Sequence, residues 1–229
     1  MPDDGLQLRI IVSDEETVFT ASPGNGLVPD APTEAVSLVD VGKAVAPLEV
    51  DLTGKAALIE RGGAFFSEKV RHAAEAGAVF AVIYNHRNGN ERFILGGLDF
   101  TPIPAVFISQ DDGADVKALL TAAGDDGAKA ALSLESKVVT VAVPDSLLCE
   151  QVGVRVKMTH RIRGDIRLTV RSPSGTHSVL QANVPDGSAW RGDWTFWSNQ
   201  FFYEPAKGDW IVTVSDLVKN FTGVLSAVE

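Results

Sequence analysis

The hydrophobic positions of this 229-residue chain follow two rhythms, one before and one after about residue 137. In the first part, short continuous apolar runs are interleaved with helical spacing. KAALIE (55–60), bounded by Gly54 and by Gly62–Gly63, has the pattern of a buried strand. From Phe66 the period changes. Phe66, Val70, Ala73, Ala74 and Gly77 recur as one face of an amphipathic helix, with Ser67 as its candidate cap and Gly77 at its end. AVFAVIYN (78–85) predicts a second buried strand, and IPAVFIS (103–109), with Pro102 and Pro104, an edge or entry strand. QDDGADVKALLTAAG (110–124) predicts a second helix with acids in its first turn, and AKAALSLES (128–136) a closing strand. Ahead of all these, LQLRIIVS (6–13) reads as a first strand and the Gly/Pro-rich ASPGNGLVPDAP (21–32) as a long loop.

Beyond Val138 apolar and polar residues alternate singly. In VGVRVKMTH (152–160), Val152, Val154, Val156 and Met158 share one face while Arg155, Lys157 and Thr159 share the other, as in a half-buried strand. DIRLTV (165–170) repeats this with Ile166, Leu168 and Val170 inward, and SPSGT (172–176) is a turn signal. HSVLQA, DWTFWS, DWIVTVSD and GVLSAVE follow, all short strands with almost no helical period. The fold class is therefore mainly β with a few helices: an α+β first domain, then a β-sandwich or jelly roll. The expected domains are residues 1–137 and 138–229, joined near Ser136–Pro144.

Charge and composition sharpen the division. Residues 1–137 carry 11 Lys+Arg against 21 Asp+Glu, whereas residues 138–229 carry 9 of each, so the net charge of −10 lies in the first part. All four tryptophans lie in the second. No clustered basic patch suits nucleic acid, and no run approaches the roughly 20 apolar residues of a membrane span. Cys149 is the only cysteine, which excludes an internal disulfide and a cysteine-built zinc site. The acidic start MPDDG is not a signal peptide.

Candidate chemistry is sparse. Gly62–Gly63 precedes a helix but is followed by Ala64–Phe65–Phe66, with neither the lysine nor the hydroxyl of a phosphate loop. Two aromatics there are expected to bury themselves rather than admit a polyphosphate. The histidines (His72, His86, His160 and His177) lie in no zinc or triad context, and the neighbours His177 and Ser178 point to opposite faces of a strand. No catalytic residue is assigned. Arg163–Gly164–Asp165 reads as a turn rather than an adhesion motif, and Asn220–Phe221–Thr222 is a glycosylation sequon. Asp145, Asp165, Asp193 and Asp216 fall at strand ends, where loops gather oxygen ligands, and form the candidate calcium set. Among the aromatics of 190–203, Trp194 and Phe196 are spaced as inward residues. Trp197 then faces outward and, with Tyr203, is the candidate interaction surface.

GKAALIERGGAFFSEKVRHAAEAGAVFAVIYN, followed by IPAVFISQDDG, resembles a protease-associated domain over residues 36–136. The resemblance implies a PA-type β-barrel or sandwich with flanking helices and a non-catalytic lid or substrate-docking role. It makes Arg61, Gly62 and Gly63 a structural corner, without the cysteine that many members carry where Ala64 stands.

VPD (143–145), THRIRGDIRLTVRSPSGT (159–176), DWTFWS (193–198), YEPAKGDWIVTVSD (203–216) and TGVL (222–225) resemble the P domain of proprotein convertases and bacterial subtilisin-like proteases. That resemblance implies a jelly roll packed in cis on a subtilisin-like catalytic domain outside this chain. Polypeptides would be the substrates, calcium is bound in some relatives, and the location would be extracellular or periplasmic. The last strand, ending at Glu229, is shorter than the family's. The rival expectation is a stand-alone extracellular protein that binds a peptide or glycan through Trp197 and the 21–32 loop.

Overall fold

The structure, a computed structural model, describes residues 5–29, 31–93, 95–98, 101–219 and 221–229; the sequon's Asn220 lies outside them. It is mainly β and divides into two compact units, one running to Leu134 and one starting at Glu135.

The first unit is built on one eight-stranded sheet that curls into a nearly closed barrel. Its strands in chain order are β1 (Leu6–Val12), β2 (Glu15–Thr20), β3 (Ser22–Pro23), β4 (Val36–Asp40), β5 (Ala56–Glu60), β6 (Phe80–Tyr84), β7 (Ala105–Ile108) and β8 (Lys129–Leu134). In space the order is β2-β1-β8-β4-β5-β6-β7-β3. β4, β5, β6 and β7 are parallel, and β6 and β7 are buried at every position. Parallel strands are covered on both faces, so they read as continuous apolar runs rather than alternations. Helix α1 (Phe66–Glu75) makes the crossover between β5 and β6, and α2 (Gln110–Ala123) lies between β7 and β8, against β1 and β6.

Two local expectations change, and one hairpin was not foreseen. IPAVFIS is not an edge strand, because Ser22 and Pro23, expected in a loop, pair with Phe107 and Val106 outside it. The first hairpin turns on Ser13 and Asp14, whose φ angles are 48° and 67°, a tight reversal without the glycine that usually signals one. Helix α1 begins one residue before Ser67. Glu68 reaches back to accept the Phe65 N–H at 3.1 Å, satisfying a donor that the helix itself leaves open.

The second unit is a two-sheet sandwich, all antiparallel, as the alternation predicts. Its strands are β9 (Ser136–Val143), β10 (Val152–His160), β11 (Ile166–Arg171), β12 (His177–Gln181), β13 (Trp190–Ser198), β14 (Gly208–Asp216) and β15 (Val224–Val228). One sheet runs β13-β10-β15 and the other β12-β11-β14-β9. Val154, Val156 and Met158 of one meet Ile166, Leu168, Val170, Val212 and Val214 of the other in a single core.

Trp194 departs from expectation. It stands opposite Val156, on the inward side of its strand, yet is 58% exposed. β13 is the edge of its sheet, and beside Trp194 the sandwich opens into a cleft shared with Trp190 and Phe196.

Arg163–Gly164–Asp165 is a single 3-10 turn entering β11, with Gly164 and Asp165 buried. Gly164 donates to the Asp186 carbonyl at 3.0 Å and accepts from Val184 N–H at 3.1 Å, and Arg163 forks onto the Asp186 carboxylate. Ser188, then Arg163, hold the Asp186 carboxyl down at about 2. A Cβ on Gly164 would sit 2.0 Å from the Val184 carbonyl oxygen, which is backbone and has nowhere to go. Gly164→Ala is therefore expected to destabilise the second unit by about 2–3 kcal/mol. Urea unfolding followed by tryptophan fluorescence checks this, since every tryptophan lies in that unit; an unchanged midpoint would contradict the packing described.

Candidate functional site

In a sheet with parallel strands the backbone leaves its hydrogen-bonding ladder at the carboxyl ends, and binding residues collect there. In the first unit those ends are Asp40, Glu60, Tyr84 and Ile108, and the Arg61–Gly62–Gly63 corner follows directly. Arg61 N–H donates to the Tyr84 carbonyl at 3.0 Å, after which Gly62 and Gly63 take φ of 108° and 82°, open to glycine at no steric cost. The Arg61 guanidinium donates to Asn85 Oδ1 at 3.0 Å and lies 4.8 Å from the centre of the Phe93 ring. Asn85, fully buried, also accepts from the His86 N–H and donates to the Glu91 carbonyl. Arg61 thus holds the corner to the next loop.

Beneath the corner lies a buried cation. Lys69 is fully buried, and its ammonium donates to the carbonyls of Lys43 and Glu60. Burial pushes its pKa down; Glu60 nearby opposes this, and Lys43 adds to it. One turn on, the His72 ring Nδ1 lies 2.9 Å from the Ala44 carbonyl. Together these side chains pin the loop after β4 onto α1.

That arrangement leaves no cradle for a phosphate. Glu68 occupies the helix end, and Phe65, expected to bury itself, is 78% exposed because it precedes the first helical turn and points outward. Phe66 takes the inward place, 6.2 Å from Phe93 and 6.3 Å from Phe107 between ring centres. Val45, also exposed, packs across Gly63, where a Cβ would come within 2.8 Å of its methyl group. Phe65 and Val45 therefore give the corner an apolar rim, which sequence reasoning missed. The one available signal was an aromatic at a helix N-cap, where no inward position exists.

In the second unit the four candidate calcium ligands do not form one cluster. Asp216 and Asp165 meet at the end of β14, where Ile166 stands opposite Asp216 and Leu217 N–H donates to the Asp165 carbonyl. Buried His160 joins them, with Nε2 2.9 Å from Asp216 Oδ2 and 2.8 Å from the Phe221 carbonyl. Asp193 lies on the opposite, outer face of β13, paired with Arg155. Asp145 lies beyond Val143, which stands beside Gly208 at the far end of β14, roughly 26 Å from Asp216 at strand rise. Calcium takes 6–8 oxygens, and among the described residues no group of three or more acidic, histidine or cysteine side chains is placed to hold a metal. The four aspartates do not fit one calcium ion.

The cluster has an acid–base character instead. Burial, then the Asp216 charge, push the Asp165 carboxyl up to about 6 against the pull of His160, and Asp165 Oδ2 is buried without a partner. Burial alone would lower His160, but the carbonyls of Phe221 and Ile162 and the Asp216 carboxylate outweigh it and raise it. Trp197 and Tyr203, 63% and 70% exposed, both stand clear of this cluster's interior.

Two expectations follow. Lys69→Met leaves two buried carbonyls unpaired and should destabilise the first unit by about 2–4 kcal/mol, read as a lower denaturation midpoint. Asp165 has a folded pKa above its unfolded value of 3.8, so the folded state holds its proton more tightly. Its contribution is complete below about pH 4 and is lost as pH rises to about 6. Asp165→Asn should flatten the second unit's stability across that window; an unchanged slope in urea titrations would refute this.

Comparison with known proteins agrees with the two units. The PA domain family matches residues 10–116 and the proprotein convertase P-domain family residues 149–229. Among curated proteins, leucine aminopeptidase 2 of Trichophyton equinum is 42% identical over 67 residues, 29% of this chain and 14% of that protein. Proprotein convertase subtilisin/kexin type 5 of Homo sapiens is 41% identical over 69 residues, 29% of this chain and 4% of that protein. Among solved structures, the aminopeptidase from Aneurinibacillus sp. strain AM-1 is 29% identical over 63% of this chain and 36% of that one, with a TM-score of 0.43. The matches span only a small part of these longer proteins. With its corner, its sandwich and both family matches in the same order along the sequence, the chain is a PA domain followed by a proprotein convertase P-domain.

Proposed function

We propose that this chain is the non-catalytic accessory region of a secreted, subtilisin-like serine protease of the proprotein-convertase kind. The observation that carries the reading is the order of the two domains, PA and then P. The side chains support it. His72 and His160 are committed to backbone carbonyls and Asp216, and Ser178 bonds Ser198 rather than a base. Among the described residues no nucleophile–base pair of a hydrolase is assembled.

In this reading the P domain stabilises a catalytic domain through its sandwich surface, while the PA domain docks polypeptides. Phe65 and Val45, apolar and exposed beside the RGG corner, are the docking residues the geometry favours. The net acidity of the first part favours basic segments. No helix of the described residues is long and apolar enough to cross a membrane, and the proposed location is extracellular or periplasmic.

A second reading is favoured by the exposed aromatics Trp197, Phe202 and Tyr203: a stand-alone extracellular protein that binds peptides or glycans. The two readings differ in the mass of the native product. Antibodies raised to this chain should detect a product much heavier than 24.3 kDa that co-purifies with serine-protease activity. A free product near 24.3 kDa without that activity would leave the second reading standing.

A further inference from the structure

A cleft of about 450 Å³ opens on the flank of the sandwich where β12 and β13, an edge strand of each sheet, come together. That volume lies within the range of small-molecule sites. Trp190, Trp194 and Phe196 alternate along the inward side of β13 and line it. Trp190 is buried and lies 5.7 Å from Phe196 between ring centres, whereas Trp194 is largely exposed. Gly192, between the two tryptophans, adds no side chain, and a Cβ there would meet nothing within 4 Å. Trp194 therefore lines the cleft with its ring uncovered and open space beside it.

The polar groups of the cleft are held in place by the protein itself. Arg163 forks onto Asp186, whose Oδ1 accepts from the Ser188 N–H at 2.9 Å and from its hydroxyl at 2.6 Å. Both side chains of this pair stay partly exposed. Gln181 spends its amide hydrogens on the carbonyls of Arg163 and Ile166, at 2.8 and 3.1 Å, which leaves its Oε1 as an acceptor. At the rim, Arg155 holds Asp193. Two arginines, Arg163 and Arg191, thus line the cleft with two aspartates, and each carboxylate already has its guanidinium.

This combination selects among ligands. A charged ligand finds its opposite charges already neutralised, except at Arg191 on the rim. A purely apolar one would strip water from a guanidinium, a carboxylate and an amide without replacing the lost hydrogen bonds. A sugar ring meets both demands, with an apolar C–H face for an aromatic ring and hydroxyls that donate and accept. We propose that this cleft binds a neutral glycan, one pyranose ring stacked on Trp194 and its hydroxyls bonded to the Arg163–Asp186 pair and Gln181. Trp194 supplies the contact area, and the fixed donor and acceptor select adjacent hydroxyls. The site lies on the opposite side of β13 from Trp197, and binding there requires no residue outside this chain.

The test titrates the protein of this sequence with three neutral β-1,4-linked oligosaccharides, cellotetraose, N-acetylchitotetraose and mannotetraose, read by NMR. At least one should shift the Trp194 indole N–H saturably at millimolar concentration or below, with an affinity that salt leaves unchanged. Trp194→Ala should weaken binding about tenfold, and Trp194→Tyr should retain most of it. Trp197→Ala should leave it unchanged. Methylating every hydroxyl of the bound sugar, which keeps the ring and removes its donors, should weaken binding about tenfold. Four results would overturn the proposal. None of the three sugars binds, including the case where the capped octapeptide Thr-Val-Thr-Val-Thr-Val-Thr-Val shifts Trp194 instead and makes a polypeptide the occupant. Trp197→Ala weakens binding as much as Trp194→Ala. The methylated sugar binds as well as its parent, which leaves an apolar cavity only. Tetragalacturonate binds more tightly than the neutral sugars with an affinity that falls as salt rises, which makes the Arg191 charge the determinant.

Discussion

Every sheet must dispose of its edges, because an edge strand presents unpaired N–H and C=O groups that either find a partner or invite one. The two units meet this constraint differently, and most of their character follows. The first curls its sheet of eight strands until it nearly closes, and its strands β6 and β7 are buried at every position. Binding chemistry there has one place to go, the loops after β5 and β6. The second unit stacks a sheet of three strands on a sheet of four, which leaves four edges: β13, β15, β12 and β9. Its clefts and its exposed Trp194 lie along those edges.

Within the first unit, one buried ammonium fixes the geometry of the outward loops. Among the described residues no carboxylate stands against the Lys69 nitrogen; carbonyl oxygens from the ends of two neighbouring segments hold it. An unpaired buried charge is costly, so the loop carrying Lys43 and the end of β5 are locked in place by the need to solvate it. Arg61 extends the same logic to the loop after β6 through Asn85. The corner is rigid because its polar groups are used internally, and what it offers outside is apolar: Phe65 and Val45. A surface of that kind suits docking and is poorly equipped for chemistry.

The second unit keeps its own polar knot, His160 with Asp216 and Asp165, where β10 and β14 end and β11 begins. Two carboxylates around one imidazole in a buried setting titrate as one coupled group, whereas a calcium ion would demand many more oxygens. The cluster anchors the turn that carries Gly164 and so sets the register of β11 against β14. The tripeptide Arg-Gly-Asp is thereby consumed by architecture.

The sequence by itself determined the buried strands, both helices and the alternating sandwich, because each of these is a matter of period. Runs such as AVFAVIYN and alternations such as VGVRVKMTH bury the same residues in any context that folds. The Gly62–Gly63 corner was legible too, since only glycine takes its φ without strain. What the tertiary structure alone decided depends on neighbours far away in the chain. The β1–β2 hairpin turns on Ser13 and Asp14, which carry no glycine signal, and Ser22–Pro23 becomes a strand only because β7 offers an edge. Trp194 has the parity of a core residue but lies where no second sheet covers it. Four aspartates at strand ends look equivalent in sequence, yet the sandwich brings two of them together, sends one to the opposite face and leaves one at the far end of a strand. Period fixes which side of a strand a residue takes; only packing fixes what stands across from it.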